Sequence, residues 1–452
     1  MAMHTRRKPG FTIIETIFSM AILTFLILAL FSIMTSNLAA LFNTKSRSVA
    51  LNIAQEKIED LKNMPYDSLA TVSGTIYPAG AVLDQETLVR NNLRLKVTTD
   101  IRYVDNTYDG NATGTVPNKP VDLYSYDYKK ITVRIYTANG SQKLAELSSD
   151  IAAKAAETAG NTGVLIVRVI NAAGAPVENA TVQIINTNPN PDVNITTTTD
   201  VQGQVAIPKL PPDLLPGYHV VITKSGYSNE QTFAQDVAHP VPTNPDFGLL
   251  AQQTTIKTFA IDQLTNLTLS IKTPTGTAIA NQAVTINGQK TSNTTPAVYI
   301  SQQTGTTDSN GAVAFNLIDW DSYDISLSGY KILSSSPFQP VTVAPNSFAT
   351  AFIVAAPTPT SYPVIEQLNP LSSQAVPGVT LDISGSNFTA GSTIILRKAG
   401  QSDRVVTGIA YAAPDSLSGT VDLSGAAQGS WSLVVTTGGL TTTQPDALTV
   451  VP

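Results

Sequence analysis

Glu15 carries the most chemical content in this sequence. It lies in FTIIETIFSMAILTFLILALFSIM, residues 11–34, a run otherwise apolar apart from small hydroxyl side chains. A carboxylate inside hydrocarbon costs about 2.5–3.5 kcal/mol on insertion scales. Either it meets a cationic partner within the apolar phase, or it lies one turn from the interface and reaches the headgroups. Other reactive residue types are sparse. His4, His219 and His239 do not sit at ligand spacing and cysteine is absent, so no metal site is expected. There is no Walker loop, G-x-S-x-G elbow, H-E-x-x-H or cysteine nucleophile. The sequence therefore points to no catalytic residue, no cofactor and no enzyme. Asp105, Asn106, Asp109 and Asn111 enrich the 104–114 loop in oxygen. They lack the regular ligand ladder and closing glutamate of a calcium loop, so a solvated turn is expected there.

The element that positions Glu15 is legible in the hydropathy. Residues 11–34 suffice to span a bilayer as a helix, and Arg6, Arg7 and Lys8 form a basic cluster before them. That cluster stays cytoplasmic, so the remainder is exported. An ordinary secretory signal would end in a small-residue cleavage site and a turn. Ala39 and Ala40 imitate such a site, but the helical pattern continues through Ala50, Ile53, Ala54, Ile58 and Leu61. Pro65 is the first strong stop. The spacing predicts one helix over 11–64, membrane-spanning over 11–34. Its length is about 75–80 Å at 1.5 Å per residue, more than twice the hydrocarbon thickness.

Lys8-Pro9-Gly10 followed by Phe11-Thr12-Ile13-Ile14-Glu15 resembles the processing site of type IV prepilins and of type II secretion pseudopilins. The resemblance implies that prepilin peptidase removes leader 1–10 by cutting after Gly10, and that Phe11 becomes the N-methylated first residue. It also gives Glu15 a role: pairing with the new Phe11 amine, in the same or a neighbouring subunit, and so setting filament register. Loss of the leader would leave 24 basic against 33 acidic residues, or −9. Many major pilins bend this helix at a proline. Residues 11–64 contain none, and Ser32 and Ser36 are the nearest weak points.

Beyond the helix, 452 residues with 13% charged residues, against about 25% usually, suggest several β-rich modules. Hydrophobic residues at 42% provide each with a core. LRLKVTTDIRYV (93–104) and KKITVRIY (129–136) alternate as strands, and 143–153 closes the region as a strand or short helix. With the helix they predict an α+β pilin head over 65–158. The ITVRIYTANGSQKLAELSSDIA stretch and the helix end LNIAQEKIEDLKNMPYDSL resemble minor pilins of the V type.

Residues 163–250 repeat in 262–356. Gly174–Val182 aligns with Gly276–Val284, and Thr199–Ala206 aligns with Thr307–Ala314. Both units resemble carboxypeptidase-regulatory-like or transthyretin-like sandwiches. In each, Asp-x-x-Gly (Asp200 to Gly203, Asp308 to Gly311) reads as a hairpin turn, with the aspartates structural caps rather than catalytic acids. PTPTS, 357–361, reads as a stiff linker. Residues 362–452 resemble an IPT/TIG immunoglobulin-like domain. The carrying residues are Ile365, Asn369-Pro370, Gly378 and Ile383-Ser384-Gly385-Ser386-Asn387-Phe388. The resemblance implies that Gly385 and Asn387 turn the chain and Phe388 is buried. Trp431, beside alternating Leu433 and Val435, is expected in the same core.

The fold class expected is thus α+β and multidomain: a long pilin helix with a small antiparallel sheet, then three β-sandwiches. A net charge of −6 gives no support for nucleic-acid binding, and no nucleic-acid partner is expected. The expected function is that of a minor pilin displaying immunoglobulin-like modules to a surface or host ligand. Its partners would be other pilin subunits, prepilin peptidase and, before assembly, the cytoplasmic membrane; afterwards it would be extracellular. The alternatives are a pseudopilin of a secretion or competence system, and a membrane-tethered surface protein that never polymerises.

Overall fold

The computed structural model describes residues 13–106, 108, 110, 116–119, 126–153, 161–412 and 415–452. They fall into two compact units. The first takes the chain to Val164 together with Ile207–Leu210 and Ala251–Thr254, and the second takes the rest.

In the first unit, α1 (Ile13–Lys62) runs unbroken through Ser32 and Ser36. At 1.5 Å per residue it is about 75 Å long. It ends at Asn63-Met64-Pro65, where proline removes a backbone donor and disfavours helix at the residue before it. A short 3-10 turn, Tyr66–Ser68, follows. Strands β1 (Gln85–Arg90), β2 (Leu93–Val104), β3 (Tyr128–Thr137) and β4 (Lys143–Ala152) form one antiparallel sheet in sequence order. The closing segment is thus a strand. Val97, Ile101, Ile131, Val133 and Ile135 alternate inward and meet Ala50, Ile53, Ala54, Ile58 and Leu61 of the helix. Small Ala50 and Ala54, both 0% exposed, let the helix backbone approach the sheet closely.

The first of two repeats, most of it in the second unit, comprises β5 (Gly163–Ile170), β6 (Thr181–Asn186), β7 (Val193–Thr198), β8 (Gln204–Leu210), β9 (Asp213–Thr223), β10 (Glu230–Gln231), β11 (Phe247–Leu249) and β12 (Thr254–Ala260). The second repeat comprises β13 (Thr265–Lys272), β14 (Ala283–Gly288), β15 (Thr291–Thr294), β16 (Ala297–Tyr299), β17 (Gln302–Thr306), β18 (Ala312–Ile318), β19 (Asp321–Leu327), β20 (Tyr330–Ser336), β21 (Val341–Val343) and β22 (Phe348–Pro357). Its two main sheets run β18-β13-β22-β20 and β17-β14-β19-β21. They close on Leu267, Leu269, Phe315, Tyr323 and Ile353.

The repeats match in backbone detail. Asn179 and Asn281 have φ of 56° and 54°, and Lys209 and Leu317 have φ of 60° and 53°. The Asp-x-x-Gly segments also match, but they are not hairpins. β7 pairs with β6 whereas β8 belongs to the sheet β12-β5-β8; β17 and β18 likewise belong to different sheets. Each turn therefore carries the chain from one layer of the sandwich to the other. Asp200 Oδ1 accepts from the amides of Gln202 and Gln204 at 2.9 Å, and Asp308 Oδ1 accepts from those of Asn310 and Ala312 at 2.8 Å. Glycine is required because Gly203 and Gly311 have φ of +68° and +74° and press on the opposite layer. A Cβ would lie 2.5 Å from the Val169 carbonyl oxygen or 2.3 Å from that of Ile271.

The last strands are β23 (Val364–Asn369), β24 (Ser372–Gln374), β25 (Val379–Ser386), β26 (Thr393–Arg397), β27 (Arg404–Ala412), β28 (Ser416–Val421), β29 (Gly429–Thr437) and β30 (Leu440–Val451). They form an eight-stranded sheet, β23-β25-β28-β27-β26-β29-β30-β24, which wraps a core containing Phe388, Leu433, Val435 and Trp431. The indole N–H of Trp431 donates to the Ala427 carbonyl at 2.9 Å, which satisfies the one polar atom of a fully buried ring. Gly385 lies within β25, where a Cβ would stand 1.9 Å from the Val364 carbonyl oxygen. It permits close strand approach, and the turn itself falls at Asn387, φ 61°.

Residues 357–361, expected as a stiff linker, are held by hydrogen bonds from both sides. Pro357 ends β22, the Thr358 amide donates to the Gly329 carbonyl at 3.0 Å, and Asn387 Nδ2 donates to the carbonyls of Thr360 and Tyr362. Leu333, Ala356 and Val364 form a small core at the same place. Nearby, buried Gln444 accepts from the Ser335 amide and donates to its carbonyl. The second repeat and the final module are therefore joined through packed, hydrogen-bonded residues.

Candidate assembly helix and its head

α1 changes character along its length. From Ile13 to Phe42 its large side chains are exposed, including Ile13, Phe18, Phe25 and Phe31 at 81, 69, 76 and 64%. From Val49 onward one face is buried in the head core. A surface of that kind is unfavourable in water at about 25 cal/mol per Å², so the first half requires lipid or other helices around it. By length and composition this helix is sufficient to cross a membrane.

Glu15 stands in the first described turn, at one end of the apolar half, beside Phe18, Ser19 and Ile22. The Ser19 hydroxyl donates to the Glu15 carbonyl. This satisfies a polar side chain in an apolar stretch by back-bonding within the helix, as do Thr24 to Met20 and Thr35 to Phe31. Arg6, Arg7, Lys8, Gly10 and Phe11 lie outside the described residues, as do Asp109 and Asn111 of the oxygen-rich loop.

The head fixes the exit of this helix through a residue that sequence reasoning missed. Lys129, only 1% exposed, donates from Nζ to the carbonyls of Tyr66 at 2.7 Å and Leu69 at 2.9 Å. Its ammonium lies 4.6 Å from the Tyr66 ring centroid and 5.2 Å from that of Tyr103, within cation–π range. Desolvation, and then the nearby Lys209 cation, lower its pKa to about 8. Burial, followed by Tyr66, pushes the Tyr103 phenol upward. The signal was present in the strand alternation. Lys129 shares parity with inward-facing Ile131, Val133 and Ile135. Two ion pairs support the same seam: Arg90 grips both oxygens of Glu56 at 2.7 and 2.9 Å, and Lys57 meets Glu86 at 2.5 Å.

The structure does not bring the other singled-out residues to one site. Asp200, Gly203, Asp308 and Gly311 sit in separate inter-layer turns, while Gly385, Asn387 and Phe388 sit in the last module. His219 Nδ1 and Asp246 Oδ1 are 2.9 Å apart in the first repeat, and His239 stacks on Phe233. Among the described residues no group of three or more His, Cys, Asp or Glu side chains could hold a metal ion.

These features define an α+β protein in which one apolar N-terminal helix, long enough for a membrane, carries a chain of β-sandwich modules. Residues 164–250 match the carboxypeptidase regulatory-like domain. No curated protein matches the chain. Among solved structures it is similar to the Bacillus anthracis TIE protein (11% identity, TM-score 0.19, covering 72% of this chain and 57% of that one). It is also similar to a streptococcal ancillary pilin (13%, TM-score 0.24, 61% and 81%). A third is the shaft pilin spaA from Lactobacillus rhamnosus GG (12%, TM-score 0.16, 44% and 99%). The chain thus spans little more than half of the first of these, and likenesses this slight carry no functional conclusion.

Proposed function

We propose that this chain is a minor pilin of a type IV pilus. It is inserted and processed as a prepilin, assembled through α1, and displays its sandwich modules at the cell surface for adhesion or interaction. The observation that supports this most is the two-part helix. Its first half is exposed and apolar around Glu15, and its second half is built into the head core. A tether needs only a span, whereas a helix of about 75 Å continuous with its head suits lateral packing of identical subunits. In this reading the leader is 1–10, Gly10-Phe11 the cleavage and methylation junction, and Glu15 the partner of the Phe11 amine. The head covers 65–158, the repeats 163–250 and 262–356, and 362–452 is an IPT/TIG module whose buried Phe388 and Trp431 support that assignment.

Surface labelling of the last module on intact cells, followed by mechanical shearing, tests the reading. Label recovered with sheared filaments is the expected result. Label confined to the envelope would replace it with the pseudopilin or tethered-protein reading.

A further inference from the structure

The outer face of the sheet β18-β13-β22-β20 carries two exposed aromatic rings beside polar side chains. Its inner face supplies Leu267, Leu269, Ala351 and Ile353 to the core, so alternate residues point outward. These include Asn266, Thr268 and Ser270 on β13, and Phe348, Thr350 and Phe352 directly beside them on β22. Asn316 on β18 adjoins Asn266. None of these is charged; the next outward residue of β13, Lys272, is exposed and stands beside Val354. Phe348 is 87% and Phe352 52% exposed, and Leu317, next to Asn316, is 68% exposed. The two rings stand on one strand four residues apart, about 13 Å.

The fold does not demand those rings. Aligning buried Phe259 of the first repeat with buried Ile353 places Thr254 and Thr258 where the second repeat has Phe348 and Phe352. On the paired strand the pattern reverses: Ile166, 1% exposed, occupies the position of exposed Thr268. The corresponding sheet thus carries Ile166 followed by a half-buried Arg168 on the central strand of one repeat. In the other it carries hydroxyl and amide side chains flanked by exposed aromatics.

We infer that this face binds an uncharged glycan chain. A pyranose ring offers an apolar C–H face that stacks on an aromatic ring, while its edge hydroxyls pair with Asn, Thr and Ser. Two rings in line on a flat strand suit successive sugars of an extended polymer. Lys272 stands past Phe352, so an anionic polymer would meet a counter-charge only at one end of the face. Burying the rings against a purely apolar partner would strand the amides and hydroxyls between them.

The inference deepens the adhesive part of the proposed function but needs no filament. It is tested on the detergent-solubilised full chain by affinity electrophoresis through gels containing hydroxyethyl cellulose, glycol chitin or, as an anionic comparison, hyaluronan. Retardation by a neutral polymer and not by hyaluronan is expected. Phe348→Ala with Phe352→Ala should weaken it on the order of tenfold or more while the melting temperature holds. Thr254→Ala with Thr258→Ala, on the first repeat, should leave it unchanged. No retardation in either neutral gel, retardation by hyaluronan alone, or retardation indifferent to the phenylalanine pair overturns the inference. So does a self-association that the pair abolishes, which would assign the face to a second copy. Each of these outcomes leaves the assembly reading of α1 intact.

Discussion

Glu15→Leu is expected to accumulate in the membrane at least as well as the parent chain yet to be nearly absent from sheared filaments. Insertion improves because leucine is favourable where a carboxylate costs about 2.5–3.5 kcal/mol. Assembly fails because, in the proposed filament, the substitution strands the Phe11 ammonium of a packed helix in hydrocarbon. Breaking one side of a buried ion pair costs about 3–5 kcal/mol, which corresponds to roughly a hundredfold or more in incorporation. Immunoblotting of membrane and sheared fractions reads both quantities at once. Equal incorporation of the leucine variant would show that the carboxylate does not set register. Poor membrane levels would assign it to insertion instead.

The second large effect is predicted for Lys129→Met. Methionine preserves the stem but removes the donor shared by the Tyr66 and Leu69 carbonyls. Each carbonyl left without it costs about 1–3 kcal/mol, less whatever relief follows from no longer burying a cation. A net loss of roughly 2–4 kcal/mol is expected, seen as faster hydrogen exchange of the Tyr128–Thr137 amides. The pH dependence carries its own sign. Lys129 has a folded pKa of about 8, below its ordinary value, so below pH 8 both states hold the proton and the burial cost is constant. Above pH 8 the folded state releases the proton while the unfolded state keeps it, and the head gains stability. At about 1.4 kcal/mol per pH unit for one proton, the gain is about 3 kcal/mol at most. Beyond pH 10 the unfolded Tyr103 begins to ionise while the buried one does not, which opposes the rise. The parent head should therefore protect its β3 amides better at pH 9.5 than at 7.5, once intrinsic exchange rates are corrected for. Lys129→Met should lack the difference. An unchanged pH response in the variant would place the titrating group elsewhere.

Much of this architecture was legible because local and global signals agree. The apolar run, the i, i+3, i+4 pattern from Ala50 to Leu61 and the stop at Pro65 all specify one helix, and the structure has Ile13–Lys62. The repeat offset was legible because Asp-x-x-Gly, Asn179 and Asn281 mark backbone positions few residues tolerate. What failed was the inference of long-range pairing from local chemistry. Asp200 satisfies the Gln202 and Gln204 amides within its own turn, so the side chain carries no record of whether the next strand joins the same sheet. PTPTS reads as a stiff linker, but its anchors are not legible because they are remote: Asn387 lies 27 residues beyond Thr360. β22 reads FATAFIVAA, apolar at both parities, so only the fold decides that Ile353 turns inward and Phe352 outward.

In the proposed pilin, the first residue of the helix is made by proteolysis on the cytoplasmic side. Intact-mass and N-terminal peptide mass spectrometry of the chain purified from its native membrane tests this directly. A mature chain beginning at Phe11, with one methyl group on its α-amine, is the predicted result. A chain that retains residues 1–10, or that begins beyond Ala40, would contradict it.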